Sequence, residues 1–187
     1  MTAQATVERE SLSRDGFRFG LVPYSLGVEE ELFQAADASR KEVARWMPWM
    51  HADYDQEECR RWVESSMAAW DNGTAYEFVI VDHEDGSAVG SCGLNSINRF
   101  DLVCNLGYWV STSKCRLGAA SQVVQLIWDF GIERVGLNRL EIVVADGNVA
   151  SRGVAEKVGA IYEGIQRDRV RVGEKVFDAH MYACLRR

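Results

Sequence analysis

Four groups of residues in this 187-residue chain are of types and spacings that could do chemistry. From Tyr108, Trp109 and Val110 a polar loop, Ser111-Thr-Ser-Lys-Cys-Arg-Leu-Gly118, leads into a helical pattern that opens on small residues, Ala119-Ala120-Ser121. A helix start leaves backbone N–H groups unpaired with the positive end of the helix dipole behind them, and small side chains let a phosphate come close. Lys114 and Arg116 add positive charge, although an ordinary strand-loop-helix connection carries the same signature. Glu77 is one carboxylate in an apolar and aromatic run, Tyr76 to Val81. An apolar setting raises a carboxylate pKa toward the range useful for taking a proton. Strand alternation sets Glu77, Val79 and Val81 opposite Tyr76, Phe78 and Ile80, and a residue at the strand's end could equally fray into water. Asp146-Gly-Asn148 followed by Ser151 offers an amide and a hydroxyl at a helix start, where each could bind a ligand or simply cap.

The fourth group is Trp46-Met-Pro-Trp49-Met-His51, two indoles and two thioethers around a proline, which suits a cleft wall or a packed core. His51, Asp53 and Asp55 come next and could meet a cation or form a solvated turn. Cys115 sits at a helix start beside Lys114 and Arg116, a setting that lowers a thiol pKa, though such a residue can also just fill space. The five cysteines (Cys59, Cys92, Cys104, Cys115 and Cys184) contain no C-x-x-C pair, and the three histidines (His51, His83 and His180) are far apart. Neither a zinc site nor a disulfide framework is expected, and no metal.

These groups need elements to hold them. Phe17–Val22 alternates as a first strand closed by Pro23; Gly27–Trp46 has helical spacing for one or two short helices, ended by Pro48. Asp55 and Glu58 form a capping box ahead of Cys59, Trp62, Val63, Met67 and Trp70 at helical spacing. Tyr76–Val81 and Ala88–Leu94 read as a hairpin around His83-Glu-Asp-Gly86, followed by a strand over Asn105–Val110. A helix over Ala119–Arg134, a strand over Arg139–Ala145, a helix over Asn148–Val158 and two long strands, Ala160–Val172 and Lys175–Leu185, complete the chain. The order β-α-α-β-β-β-α-β-α-β-β is that of an α+β or mixed α/β domain, one sheet flanked by helices.

Composition narrows the class. With 47% hydrophobic residues, 26% charged and two prolines, the chain can bury a full core, and residues 1–187 read as one domain with residues 1–15 as a tail or extension. The longest nearly apolar run, Val123–Trp128, is far short of the ~20 residues of a membrane span, and the acidic N-terminus lacks a secretory pattern, so a cytoplasmic protein without membrane contact is expected. Twenty-one Lys+Arg against 28 Asp+Glu give a net charge of −7, which disfavours nucleic acid and welcomes a cationic partner.

The ordered series Gly107-Tyr-Trp-Val, Arg116-Leu-Gly-Ala-Ala120, Asp146-Gly-Asn148-Val-Ala-Ser151, Ala155-Glu-Lys-Val-Gly159 and Glu163-Gly164 resembles the GNAT acyltransferases, and within them the RimJ/RimL branch that acetylates protein N-termini. It covers most of the chain from Phe17 and is strongest from Leu106 to Arg187. The resemblance implies the GNAT fold, a mostly antiparallel central sheet flanked by helices, and acetyl-CoA-dependent transfer to a primary amine, most simply a protein or peptide N-terminus, with a polyamine, amino acid or aminoglycoside as alternatives and a non-catalytic acyl-CoA-binding domain as another. It assigns the coenzyme to Tyr108, Trp109, Val110, Cys115, Arg116, Leu117, Gly118, Ala119, Ala120 and Asn148, with Cys115 standing where the family carries Gln or Arg. It implies Glu77 as general base and Ser151 as general acid, since Ala155 stands where many relatives carry a Tyr, and it puts Trp46, Trp49 and His51 on the acceptor side. The two C-terminal strands could pair within one subunit or across a homodimer.

Overall fold

The structure, a computed structural model, describes residues 7–186. Seven strands form one sheet in the order β1-β2-β3-β4-β5-β7-β6: β1 (Phe19–Pro23), β2 (Tyr76–Asp82), β3 (Ala88–Asn98), β4 (Val103–Val110), β5 (Arg139–Ala145), β6 (Ile161–Val172) and β7 (Lys175–Leu185). Every pairing is antiparallel except β4 with β5. That parallel pair holds over only Val103–Asn105 against Arg139–Glu141, so β4 runs on from Leu106 to Val110 without a β5 partner and the sheet splits. The two C-terminal strands pair with each other within the chain, and β7 joins them to β5.

The pattern-read elements stand close to their expected bounds. The first helical stretch divides at Ser39 into α1 (Glu29–Asp37) and α2 (Arg40–Val43), ahead of α3 (Gln56–Asp71). Asp55 does cap α3, accepting from the Glu58 N–H at 2.8 Å, but the reciprocal arm of the capping box is missing because the Glu58 carboxylate turns to His51 Nε2 at 3.1 Å. The helix that follows β4 is α4 (Ala119–Asp129), and it passes into a π-type turn, Phe130–Arg134. There Gly131 packs so tightly that a Cβ would lie 2.8 Å from Leu140. A last helix, α5 (Val149–Lys157), follows β5.

Register sorts side chains onto two faces. Phe78, Leu94, Leu106, Leu140 and Ile142 face α4 and bury with Val123, Val124 and Ile127 in the main core. Trp70, Tyr76, Phe78 and Phe130 add four edge-on ring contacts with centroids 5.0–5.6 Å apart and one tilted contact, Trp70 with Phe130, at 5.9 Å, each worth about 1 kcal/mol beyond area burial. The other face carries Val79, covered by Leu32 of α1 and by Cys59 and Val63 of α3. Residues 7–15 lie along this body: Leu12 bridges to Leu21, Val7 O accepts from Trp70 Nε1, and Arg9 pairs with Asp71. Among the described residues no helix is long and apolar enough to cross a membrane, and no group of three or more His, Cys, Asp or Glu could hold a metal ion.

Candidate active site

On the face under α1 and α3, pairing lines up Glu77 with Gly93 and Gly107, Val79 with Ser91 and Trp109, and Asn95 with Asn105. Glu77 is 5% exposed, so the reading in which it frays into water is overturned. Its carboxylate lies over the bare Cα of Gly93, where an added Cβ would come within 1.7 Å of Oε2. Asn95 Nδ2 donates to Glu77 Oε1 at 3.2 Å, and Asn105 Nδ2 donates to Asn95 Oδ1 at 3.0 Å, a short relay that orients the acid. Burial pushes the Glu77 pKa up to about 7, against the Asn95 hydrogen bond, which lowers it. The acid forms the floor of a cleft of about 740 Å³ whose walls include Trp49, Tyr54, Trp62 and Trp109.

Tyr108 alternates to the opposite face, with Phe78 and Cys92. Its hydroxyl lies 2.9 Å from Ser151 Oγ and donates to the Ser151 carbonyl at 3.2 Å. Burial holds this phenol well above its ordinary pKa, while the Ser151 contact works the other way. Asn148 accepts from the Ser151 N–H at 3.1 Å, so the amide caps α5. Carboxylate and hydroxyl pair thus flank the sheet from its two sides, beside the segment of β4 that β5 has left.

The loop after β4 is firmly tethered. Ser39 Oγ, buried at the α1–α2 junction, accepts from the Thr112 N–H at 2.9 Å. Lys114 Nζ binds Asp82 at 2.7 Å and Asp85 at 2.6 Å, so its charge holds the loop to the β2–β3 hairpin, a correction to its expected place facing a phosphate. Asp82 is wholly buried, also takes two bonds from Arg18 (2.9 and 2.7 Å), and these donors hold it well below the usual carboxylate range. The Asp82→Asn variant is expected to lose about 3 kcal/mol of stability, because it leaves two cations without the buried charge they share; urea titration beside the parent chain measures it.

Arg116 and Gly118 turn the chain through left-handed backbone (φ 64° and 90°) into α4. The first intrahelical donor is Gln122 N–H to Gly118 O at 3.0 Å, which leaves the N–H groups before it facing out. Arg116 makes no ion pair among the described residues and is the cation remaining at this helix start, beside exposed Leu117 and the small Ala119 and Ala120. The Cys115 thiol is raised, not lowered: burial dominates over Arg116, and Sγ donates to the Ser111 carbonyl at 3.5 Å.

Of the three residues expected on the acceptor side, Trp49 and His51 line the cleft. Trp46 instead packs on Phe177, with ring centroids 6.2 Å apart, and stands near Gly147. Residue patterns missed Trp62, which lies at the margin of the buried stripe of α3 and turns 47% exposed into the cleft mouth. They also missed Tyr108 as the partner of Ser151 and Gly93 as the seat of Glu77; a glycine pair level with one strand carboxylate was the available signal.

A sheet that splits between β4 and β5, with an open helix start on one side and a buried carboxylate on the other, defines a group-transfer fold of the acyltransferase type. Residues 18–161 match the Acetyltransferase (GNAT) domain, and the chain belongs to that family. It is 30% identical over 115 residues to the uncharacterized N-acetyltransferase p20 of Bacillus licheniformis, covering 62% of this chain and 65% of that one. It is 23% identical over 152 residues to the ribosomal-protein-serine acetyltransferase of Escherichia coli, 81% and 84% of the two chains. The chain spans 65%, 56% and 61% of the length of three Bacillus relatives it matches. Mycobacterium smegmatis RimJ, solved with CoA-disulfide, shares the fold with a TM-score of 0.85 at 21% identity over 95% of this chain and 88% of that one.

Proposed function

We propose that this protein is an acetyl-CoA-dependent N-acetyltransferase acting on a primary amine, in the first instance a protein or peptide N-terminus. The observation that carries the reading is the buried Glu77 carboxylate at the floor of a cleft, across the split from the Tyr108–Ser151 hydroxyl pair. The helix start fits the coenzyme: Gly118 adds no side chain, a Cβ there would meet only Gln122 Nε2 at 3.6 Å, and the N–H groups of the first turn with Arg116 suit a pyrophosphate. Bound acetyl-CoA supplies the activated acetyl thioester.

The chain's own residues do the rest. Glu77, held by Asn95 and with a pKa near neutrality, takes a proton from the acceptor ammonium so that the amine can attack. The Val110 N–H, on the segment of β4 without a β5 partner, polarises the carbonyl. Ser151 gives a proton to the departing thiolate, and Tyr108, in contact with its oxygen, relays the replacement.

Incubating the protein with acetyl-CoA and N-terminal peptides should release CoA and add one acetyl group per peptide by mass. Ser151→Ala should be about 100-fold slower while still raising its melting temperature with CoA. Full-rate turnover by Ser151→Ala would remove its role, and no acetylated amine across a broad panel would remove the transferase reading.

A further inference from the structure

The cleft above Glu77 is walled by rings. Trp49 packs on Trp109 with centroids 5.7 Å apart and on Tyr54 at 5.3 Å, so three aromatic side chains brace one another. Trp62, on the same helix as fully buried Cys59 and Val63, leaves 47% of its surface exposed at the mouth. The polar groups at the rim are largely engaged, His51 with Glu58 at 3.1 Å. Beneath the rings, the polar atoms near the acid belong to Asn95, Ser91 and Tyr24, and Ser91 Oγ accepts from the Tyr24 hydroxyl at 2.8 Å.

An amine that reaches Glu77 sets whatever its carbon carries against these rings. A seryl or alanyl side chain would leave most of a cleft of about 740 Å³ facing water. A benzyl, indolylmethyl or isobutyl group would displace that water from apolar surface and pack edge-on or offset against Trp49, Trp62 and Trp109. The ring faces also favour the ammonium form on its way to the carboxylate. Resting on the transferase reading above, we infer that the acceptor carries a large apolar or aromatic group next to its amine, and that Trp62 is a specificity-determining residue for that group. An N-terminal Phe or Leu of a polypeptide and a free arylalkylamine share this chemistry.

The test uses the whole chain, acetyl-CoA and peptides alike except for a first residue of Ser, Ala, Leu or Phe, together with phenethylamine. The Phe and Leu peptides should show kcat/KM ten- to one-hundred-fold above the Ser peptide, the range that burying one such side chain provides. Phenethylamine within tenfold of the Phe peptide assigns a small amine, and a rate more than a hundredfold lower assigns a polypeptide N-terminus; both uphold the class. A Ser or Ala peptide turned over as well as Phe and Leu overturns it. In Trp62→Ala, whose exposed position and helix-compatible replacement leave the fold intact, the Phe-to-Ser ratio should fall at least tenfold; an unchanged ratio overturns the part given to Trp62. Equilibrium binding of the Phe and Ser peptides, followed by tryptophan fluorescence without acetyl-CoA, decides the inference even if no amine is acetylated. Tighter Phe binding upholds the apolar subsite while the transferase reading fails, and equal affinities overturn it.

Discussion

Glu77→Gln is expected to slow acetyl transfer by about 10²–10⁴-fold and, in the same molecule, to stabilise the fold above pH 7. Both effects come from one carboxylate that is 5% exposed, with a pKa raised by burial from 4.5 to about 7. Because the folded chain holds this proton more tightly than the unfolded chain, the group's stabilising contribution is complete below pH 4.5 and is lost as pH rises through 7. Above that window the buried charge costs up to about 3 kcal/mol relative to a neutral group. Glutamine keeps the size and can still accept from Asn95, so it removes the charge with little change in packing. Denaturant titrations should therefore show the variant and parent close together at pH 4.5 and the variant ahead at pH 8. A base must also be ionised to act, so the parent's kcat/KM should rise with pH to a midpoint near 7 and then level. Asn95→Ala, which removes the hydrogen bond favouring the charged form, should move that midpoint upward. A Gln variant that turns over normally, or gains nothing at pH 8, would contradict the placement of a working base at Glu77.

Such an arrangement is only partly legible in the chain. Periodicity needs neighbours two to four residues apart, and this is why β5 (Arg139–Ala145) falls on its expected bounds and the alternation of Glu77 with Val79 holds. What periodicity lacks is the cover on each face. Glu77 could be read as base or fraying end because its burial depends on α1 and α3, whose packed residues Leu32, Cys59 and Val63 come 45, 18 and 14 residues earlier. Lys114 shows the same limit for charge: next to Arg116 it looks like half of a phosphate site, yet Asp82 and Asp85, about 30 residues before it, hold its ammonium. With Lys114 engaged, the thiol of Cys115 loses one of the two cations expected to acidify it, and burial pushes it up. The acidic residues after His51 show it too: Asp55 is a helix cap and Glu58 holds His51. The hydroxyl pair needed contact across 43 positions, from Tyr108 to Ser151, which strand and helix patterns do not encode.

Gly93→Ala is expected to slow acetyl transfer about 100-fold while leaving the fold and the coenzyme grip in place. Strand β3 tolerates alanine at this point, since Gly93 does not use the left-handed backbone that glycine alone favours. The new methyl would meet Glu77 Oε2 at 1.7 Å, Cδ at 2.2 Å and Oε1 at 2.7 Å, all at the end of a side chain that can rotate away. Backbone pairing of Glu77 with Gly93 can therefore survive, whereas the carboxylate has to leave its seat and its contact with Asn95. A displacement of 1 Å or more at a reacting group is enough for a loss of this size. The helix start at Gly118 lies on another part of the sheet and should bind CoA with parent affinity, measured by calorimetry. Combining Gly93→Ala with Glu77→Gln separates this account from general damage: if the methyl acts by moving the carboxylate, the double variant is barely slower than Glu77→Gln alone, because both changes remove one function. Additive losses would mean that Gly93 matters for a reason other than the seat it provides.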